Sequence, residues 1–295
     1  MTALPIRRSD NLRGAGLMVV SMGAFALEDM AIKLMSGTLS VGQILTLLGL
    51  GGALVLGGLV TSRGAPLFTP DFLRGSVLAR NGSEVFGTFG FVTALALIPI
   101  SLASTILMAV PLVLTVAAWL LLKERVGWRR WIAVALGFVG VLMVLRPGMG
   151  GFDPASLYAL IGVVGLALRD VAARKVPASV DSLHLSLWAF MSIVPLGLCV
   201  MAVQGSAWVP MDLRLWATMT GTVAIGLFSY STLVAATRIG EVSAIVPFRY
   251  SRIVFAMIIG VLVFGERPDP LTIAGAALIV GTGLYAFWRE RMNSA

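Results

Sequence analysis

The sequence predicts an all-α polytopic membrane protein, with ten transmembrane helices arranged as two inverted five-helix repeats around a central cavity. Three observations lead to this fold class. Hydrophobic residues make up 58% of the 295 residues and charged residues only 12%, whereas soluble domains carry roughly 25% charge. The apolar residues form segments long enough to cross a bilayer. The second half of the chain also repeats features of the first.

Gly, Pro or charged residues divide the chain into ten apolar segments, each of spanning length. We place them at about 14–35, 40–60, 76–97, 101–122, 128–145, 155–174, 182–203, 213–236, 241–264 and 270–288. Pro111, Pro195 and Pro247 fall inside these segments. Spanning helices tolerate proline because neighbouring helices can satisfy the freed backbone groups, so we expect kinks and not breaks.

Charge placement predicts the topology and excludes one class of partner. A net charge of +8 would suggest nucleic acid in a soluble protein, but here the basic residues cluster between apolar runs. Starting from an inner N-terminus, 14 of the 22 Lys and Arg residues lie in inner loops and 3 in outer loops. The positive-inside rule therefore places both termini in the cytoplasm of a multi-pass inner-membrane protein of bacteria. We expect the lipid bilayer as a partner and no nucleic acid.

An internal repeat appears when the chain is displaced by 142 residues along itself. This shift aligns Lys123-Glu124-Arg125 with Gly265-Glu266-Arg267, and it aligns an acid followed five residues later by Lys in both copies. The aligned pairs are Ser101 with Ser243, Ala94 with Ala236, Glu28 with Asp170 and Lys33 with Lys175. Because five spans is an odd number, the copies at 1–147 and 148–295 must lie in opposite orientations, as in many secondary transporters.

These residues resemble the drug/metabolite transporter superfamily, specifically its EamA-type exporters and the YddG-like amino acid exporters among them. The resemblance is carried by Ala94-Leu95, by Ser101-Leu102-Ala103-Ser104 with the run to Lys123-Glu124-Arg125, and by the second copy from Ala236 through Ser243 to Gly265-Glu266-Arg267. It implies a central cavity and export of amino acids, including aromatic ones, or of related metabolites. The Glu28-Asp29 pair in the first span departs from many relatives, which carry less charge there.

Two arginines of the ninth span are the first candidate substrate ligands. Arg249 lies about 12 Å and Arg252 about 16 Å into that span, close to the midplane, and residues three apart share a helix face. With Tyr250, they could hold a substrate carboxylate by charge-assisted hydrogen bonds. The alternative is a structural pair between an arginine and an acid on another helix.

Three further candidates for substrate binding lie on other spans. Asn81 and Glu84 lie in the third span, and Glu84 could meet a substrate ammonium or an arginine, or pair with Arg80 four residues earlier. Tyr230 in the eighth span offers a hydroxyl to a ligand or to a neighbouring helix.

Acids in the first and sixth spans are predicted to act in gating or coupling. Glu28 and Asp29 are adjacent, about 100° apart on a helix, so both cannot face a cavity equally. Glu28 lies about 21 Å from the start of its span and Asp170 about 22 Å from the start of its own. In inverted repeats these positions fall on opposite sides of the site. For Asp170 an interfacial salt bridge is the alternative.

Together these features predict a secondary transporter that works by alternating access. Buried charges of both signs suit a zwitterion such as an amino acid, while drugs, other organic cations or sugars remain alternatives, as do a channel and a sensor without flux. The chain has no G-x-S-x-G motif, no P-loop and no His-rich set, so we do not expect an enzyme, a metal or a cofactor. The sequence is compatible with a monomer.

Overall fold

A computed structural model describes residues 8–124, 126–147, 152–239 and 245–294, apart from the side chains of residues 8, 9, 238, 246 and 286–294. Throughout these ranges the regular structure is helical and no strand occurs. The α-helices are α1 (Arg8–Ser36), α2 (Val41–Ser62), α3 (Gly75–Leu97), α4 (Ile100–Leu107), α5 (Val110–Leu122), α6 (Trp128–Leu145), α7 (Ser156–Ala173), α8 (Ser182–Gln204), α9 (Leu213–Ile239), α10 (Ser251–Phe264) and α11 (Pro270–Ser294). Short 3₁₀ helices cover Pro70–Leu73 and Val246–Tyr250.

Eight segments of this part of the chain are long and apolar enough to cross a membrane. They are Asp10–Ser36, Val41–Ser62, Ile100–Leu122, Trp128–Leu145, Ser156–Ala173, Ser182–Gln204, Leu213–Thr237 and Pro247–Phe264. The described apolar part of α11, Pro270–Tyr285, is shorter. Helix α3 has spanning length but carries Arg80, Asn81 and Glu84. The described structure thus has eight clear candidate spans and two further helices in the predicted places.

Proline affects the predicted spans in three different ways. The fourth span is kinked: α4 ends at Leu107, and α5 begins at Val110 with Pro111 in its first turn. Met108 and Ala109 keep right-handed helical dihedral angles, and Ile100–Leu122 remains one segment of spanning length. The structure therefore has the expected kink, because proline cannot donate to the preceding turn. Pro195 lies inside the continuous helix α8. Pro247 lies at the start of the 3₁₀ turn that precedes α10.

Glycines bring the helices of the two halves into close antiparallel contact. A Cβ on Gly90 of α3 would lie 2.5 Å from the backbone nitrogen of Gly162 on α7. Along the same interface Gly87 meets Gly165, so the residue numbers of the two helices run in opposite directions. Small residues allow such backbone approach between helices in a membrane. The α3–α7 interface is therefore antiparallel and intolerant of larger side chains.

The pattern of helix contacts keeps its form when the two halves are exchanged. Under this exchange α1, α2, α3 and α6 correspond to α7, α8, α9 and α11, and α4 with α5 corresponds to the segment 246–264. The α3–α7 interface then maps onto α9–α1, while α2–α8, α6–α11 and α4–α10 each map onto themselves. The largest buried hydrophobic cluster likewise draws residues from both halves.

The start of α11 is fixed by a cap that also joins the halves. The Asp269 carboxylate accepts hydrogen bonds from the backbone nitrogens of Leu271 and Thr272, at 2.9 and 3.1 Å, and it pairs with Arg146 at the end of α6. Desolvation acts to raise the pKa of Asp269, but the hydrogen bonds from Thr272 and the Arg146 guanidinium outweigh it and lower the pKa to about 2. The carboxylate is therefore charged at any physiological pH.

Candidate functional site

The first feature of the interior is a bidentate ion pair between Arg252 and Asp29, which joins the two halves. The Arg252 guanidinium, at the start of α10, donates to both Asp29 carboxylate oxygens: Nη2 lies 2.8 Å from each, and Nε lies 3.2 Å from Oδ2. The Asp29 side chain is only 3% exposed. Such bidentate geometry is favourable for Arg with a carboxylate. The pair occupies the hydrogen-bonding capacity of Asp29 and much of that of Arg252.

Two aromatic rings fix the same guanidinium. The Arg252 Cζ lies 5.0 Å from the centre of the Phe25 ring on α1 and 5.3 Å from that of Phe91 on α3. Cation–π contacts at these distances are attractive. Arg252 is held by three groups on two helices, Asp29 and Phe25 of α1 and Phe91 of α3, which leaves its side chain little freedom to move with a ligand. Its predicted substrate contact stays a prediction, and its structural pairing with an acid is what the geometry shows.

A second charge cluster joins α3 to α7. Glu84 lies 3.1 Å from Arg80 and 3.1 Å from Arg169, and Arg169 also bonds to Asp170 at 2.8 Å. The predicted substrate ligand Glu84 is thus bound by two guanidinium groups. The predicted gating residue Asp170 is bound by its chain neighbour Arg169.

Asn81 belongs to this cluster but keeps one unused donor. Its Oδ1 accepts from Arg80 Nη1 at 2.9 Å, while its buried Nδ2 has no hydrogen-bond partner among the described residues. An unpaired buried amide donor is costly, so this group is available to a ligand or a water molecule.

Arg249 differs from the other interior arginines. It is exposed, and the described part of the chain gives its guanidinium neither an ion pair nor a hydrogen bond. It lies one turn before Arg252, whose side chain points inward, and within electrostatic range of Asp170, Arg169 and Arg252. Arg249 is therefore an exposed guanidinium close to the charges of α7 and α10.

Glu28 on α1 is an acid that, like Arg249, has no bonded partner among the described residues. Its carboxylate packs against α9 at Gly226, where an added Cβ would lie 2.5 Å from Oε1. The residue is partly exposed, and within the described ranges it forms no ion pair or hydrogen bond. It lies within electrostatic range of Asp29 and Arg252. Glu28 and Arg249 thus both lie near the Asp29–Arg252 pair and are not bonded to each other.

Among the described residues, the two predicted tyrosine ligands form no hydrogen bond with these charges, although Tyr250 lies within electrostatic range of Arg249. The ring of Tyr250 is buried against α11, and its hydroxyl occupies the space that a Cβ on Gly283 would fill. Tyr230 is 43% exposed, next to Ser229, whose carbonyl accepts from Ser21 of α1 at 2.7 Å. Their roles in substrate binding stay predictions.

One end of the helix bundle is closed by two charged residues that we did not single out as site residues. The Glu266 carboxylate accepts hydrogen bonds from the backbone nitrogens of Ile100 and Ser101 at the start of α4, at 2.6 and 3.1 Å. At the end of α3, Lys33 Nζ donates to the carbonyls of Leu95 and Ile98 at 3.0 and 2.6 Å. Anions favour helix N-termini and cations favour C-termini. The two residues therefore clamp both sides of the α3–α4 turn.

The opposite end lacks such bonds within the described structure. Glu124, the repeat counterpart of Glu266, pairs with Arg174 at 2.8 Å, and both side chains are nearly half exposed. Lys175, the counterpart of Lys33, reaches only the carbonyl of Leu121 at 3.5 Å. Matched residues therefore form a partly buried clamp at one end and exposed contacts at the other. The sequence feature that could have identified these residues is the repetition of Glu and Lys at equivalent positions of the two repeats.

The geometry suits binding of a charged or zwitterionic solute more than bond chemistry. Among the described residues it has a cation (Arg249), a carboxylate (Glu28) and an amide donor (Asn81 Nδ2) without partners, close to ion pairs that join helices. Among the described residues, no group of three His, Cys, Asp or Glu residues could hold a metal ion.

The chain belongs to the EamA-like transporter family, whose model matches residues 12–146 and again residues 153–287. It is a membrane transporter of the drug/metabolite type, as the resemblance implied. The two matched ranges place one family unit in each half.

Named relatives of this chain transport different solutes. It is 26% identical to an S-adenosylmethionine uptake transporter of Rickettsia prowazekii (strain Madrid E), over 70% of each chain. It is 26% identical to a riboflavin transporter of Vibrio cholerae, over 62% of this chain and 61% of that one. It is 25% identical to a pseudopaline exporter of Pseudomonas aeruginosa, over 90% of this chain and 93% of that one.

A solved crystal structure shares the fold. It is 20% identical in sequence and superposes with a TM-score of 0.62, covering 98% of this chain and all of that one.

Proposed function

We propose that the protein is a secondary transporter of ten membrane-spanning helices that moves a small zwitterionic metabolite of the amino acid class by alternating access. The observation that carries this proposal is the pair of interior charges without partners, Glu28 and Arg249, between the two repeats of a transporter fold. Secondary carriers place their substrate sites near the midplane at such a repeat interface.

The inverted arrangement is supported by the direction of equivalent helices. Helices α2 and α8 occupy equivalent places in the two halves and pack antiparallel, with Gly42 beside Gly197 and Gly49 beside Phe190. Two copies whose equivalent helices run in opposite directions are related by an axis across those helices, which is what inverted repeats require. The two family units found in sequence support the same arrangement.

The relatives favour a polar organic substrate without fixing its identity. S-adenosylmethionine carries a zwitterionic amino acid group and a sulfonium cation, so its transporters handle charges of both signs. The interior of this chain has the complementary charges. Amino acids and their larger derivatives are therefore the preferred class, with aromatic amino acids among them, and export is the direction that the YddG-like resemblance favours.

The arrangement at the two ends suggests the conformation that the chain adopts. The end with the Glu266 and Lys33 clamp is closed, and the opposite end carries only exposed contacts. With both termini in the cytoplasm of a bacterial inner membrane, the closed end faces the periplasm and the state is open inward. Gating by Glu28, Asp29 and Asp170 remains part of this proposal, to be tested by accessibility after their neutralisation.

Uptake into proteoliposomes tests the proposal. The purified protein is reconstituted and assayed with labelled L-phenylalanine, L-methionine, S-adenosylmethionine, riboflavin, a quaternary ammonium ion and a hexose. We expect saturable uptake of at least one amino acid or amino acid derivative above protein-free liposomes. Saturable uptake of only the ammonium ion or the hexose would overturn the zwitterion class, and no uptake of any solute would contradict transport of these classes.

A further inference from the structure

The charges inside the bundle can be assigned to partners almost completely. Arg252 bonds to Asp29, and Glu84 bonds to Arg80 and Arg169. The remaining acid of α7, Asp170, bonds to Arg169. Lys33 is bonded to backbone carbonyls at the clamp. Away from the ends of the described spans, where Arg13, Arg129 and Arg214 are exposed, this leaves one carboxylate, Glu28, and one guanidinium, Arg249.

The two remaining charges both lie within electrostatic range of Arg252, in the Asp29–Arg252 pair. Glu28 is the chain neighbour of Asp29, and Arg249 lies one helical turn before Arg252. Each residue is therefore close in the chain to one member of the Asp29–Arg252 pair, which joins α1 to the 246–264 segment. No ion pair joins Glu28 to Arg249. An ionisable group at membrane depth without a partner is unfavourable and usually serves a function.

We propose that Arg249 binds the carboxylate of the substrate and that Glu28 binds its cationic group, while Arg252 positions both without touching the substrate. This inference rests on the proposed function and specifies the ligand as a zwitterion with separated charges. Arg249 presents an open guanidinium fork, which matches a carboxylate. Glu28 presents acceptor oxygens only, which match an ammonium or a sulfonium.

Gly226 and Phe25 shape the cationic side of this site. Gly226 leaves room on α9 for the Glu28 carboxylate, since any side chain there would displace it. Phe25 lies three residues before Glu28, on the same face of α1, and its ring contacts Arg252. An apolar wall beside an acid suits a cationic group attached to an apolar or aromatic body.

Binding of paired analogues tests the assignment. The probes are L-phenylalanine, phenethylamine without the carboxylate, 3-phenylpropionate without the ammonium, S-adenosylmethionine and decarboxylated S-adenosylmethionine, measured by titration calorimetry on the purified full chain. We expect the wild type to bind at least one zwitterion about tenfold or more tighter than its truncated analogues, as for loss of a charge-assisted hydrogen bond.

Single variants should then lose affinity selectively. Arg249→Gln should lower the affinity for the zwitterion about tenfold or more and leave the affinity for phenethylamine unchanged. Glu28→Gln should lower the affinity for the zwitterion by a similar factor and leave the affinity for 3-phenylpropionate unchanged. Arg129→Gln, which removes an exposed cation at the start of α6, serves as the matched control and should change nothing.

The outcomes separate this inference from the proposed function. One outcome is that the wild type binds a zwitterion while Arg249→Gln and Glu28→Gln lower the affinity for all analogues by the same factor, or change no affinity. In that case the assignment of the two residues is wrong and the proposed function stands. If a folded Arg252→Gln protein alone shows the selective loss, Arg252 is the carboxylate ligand. If the wild type binds no zwitterion in the panel, the proposed substrate class itself fails.

Discussion

The Glu266 carboxylate bonds to Ser101 twice, accepting from its backbone nitrogen at 3.1 Å and from its hydroxyl at 2.5 Å. These two residues lie 165 positions apart, and one belongs to each half of the chain. Since the carboxylate also accepts from Ile100 at 2.6 Å, it completes the N-terminus of α4. The hydrogen bonds between the halves therefore also cap the N-terminus of α4. They must break if the clamped end of the bundle opens.

We predict that Glu266→Gln opens the clamped end. The amide has no charge and offers one acceptor oxygen where two now accept, and hydrogen bonds to a charged group contribute about 1.5–3 kcal/mol. A cysteine at the buried Ser104, one turn into α4, should then react with a thiol reagent about tenfold faster, with Cys199 replaced by serine. Glu124→Gln is the matched control at the equivalent repeat position. If the cysteine at position 104 reacts at the same rate in the unsubstituted background, in Glu266→Gln and in Glu124→Gln, Glu266 does not hold this end closed.

A second prediction concerns the Asp29–Arg252 pair. Removing one partner of a buried pair typically costs about 3–5 kcal/mol because the other charge stays behind. Arg252→Met and Asp29→Leu should each lower the thermal unfolding temperature of the detergent-solubilised protein sharply. The double variant should recover most of the loss, which a double-mutant cycle would quantify. Additive losses would show that the two side chains do not depend on each other.

The sequence predicted the helices well because apolar segments of about 20 residues have few alternatives. The predicted span 128–145 coincides with α6, and the span 182–203 differs from α8 by one residue. The kink near Pro111 was predicted, but the sequence did not show that the regular helix would be interrupted at Met108 and Ala109.

Partners of the buried charges were much harder to predict. Arg252 meets Asp29 across 223 residues of sequence, and no spacing rule reaches that far. Periodicity predicted a shared face for Arg249 and Arg252 but could not tell which of the two would pair with an acid. The role of Glu266 depends on the tertiary position of the α4 N-terminus, which the sequence does not give. The alignment of Glu266 with Glu124 in the repeat was the one indication that the residue matters.

The close approach of α3 and α7 gives a third prediction. Gly90→Ala places a methyl group against Gly162 and Tyr158 backbone atoms, so we expect a clear loss of thermal stability, typical of overpacking at about 1–3 kcal/mol. Gly82→Ala, on the same helix with open space around it, is the control and should be neutral or stabilising by up to about 1 kcal/mol. The same decrease for both variants would point to helix propensity and not to the interface.

Topology provides a fourth prediction, from the 14 to 3 distribution of loop Lys and Arg. In a chain with Cys199 replaced, a cysteine at the exposed Ala207, between α8 and α9, should react with an impermeant thiol reagent on intact cells. A cysteine at the exposed Ser62, at the end of α2, should react only after the membrane is permeabilised. The reverse pattern would overturn the assigned orientation and move the clamp to the cytoplasmic face.

Counterflow in proteoliposomes tests the central claim, that this chain is an alternating-access carrier, most directly. Vesicles preloaded with an excess of an unlabelled amino acid or S-adenosylmethionine receive a trace of the same labelled solute. A carrier that exposes one site alternately to the two sides should show uptake accelerated by the internal solute, with a transient accumulation above the external concentration. Uptake of the labelled solute at the same rate in preloaded and empty vesicles would contradict the carrier and favour a channel.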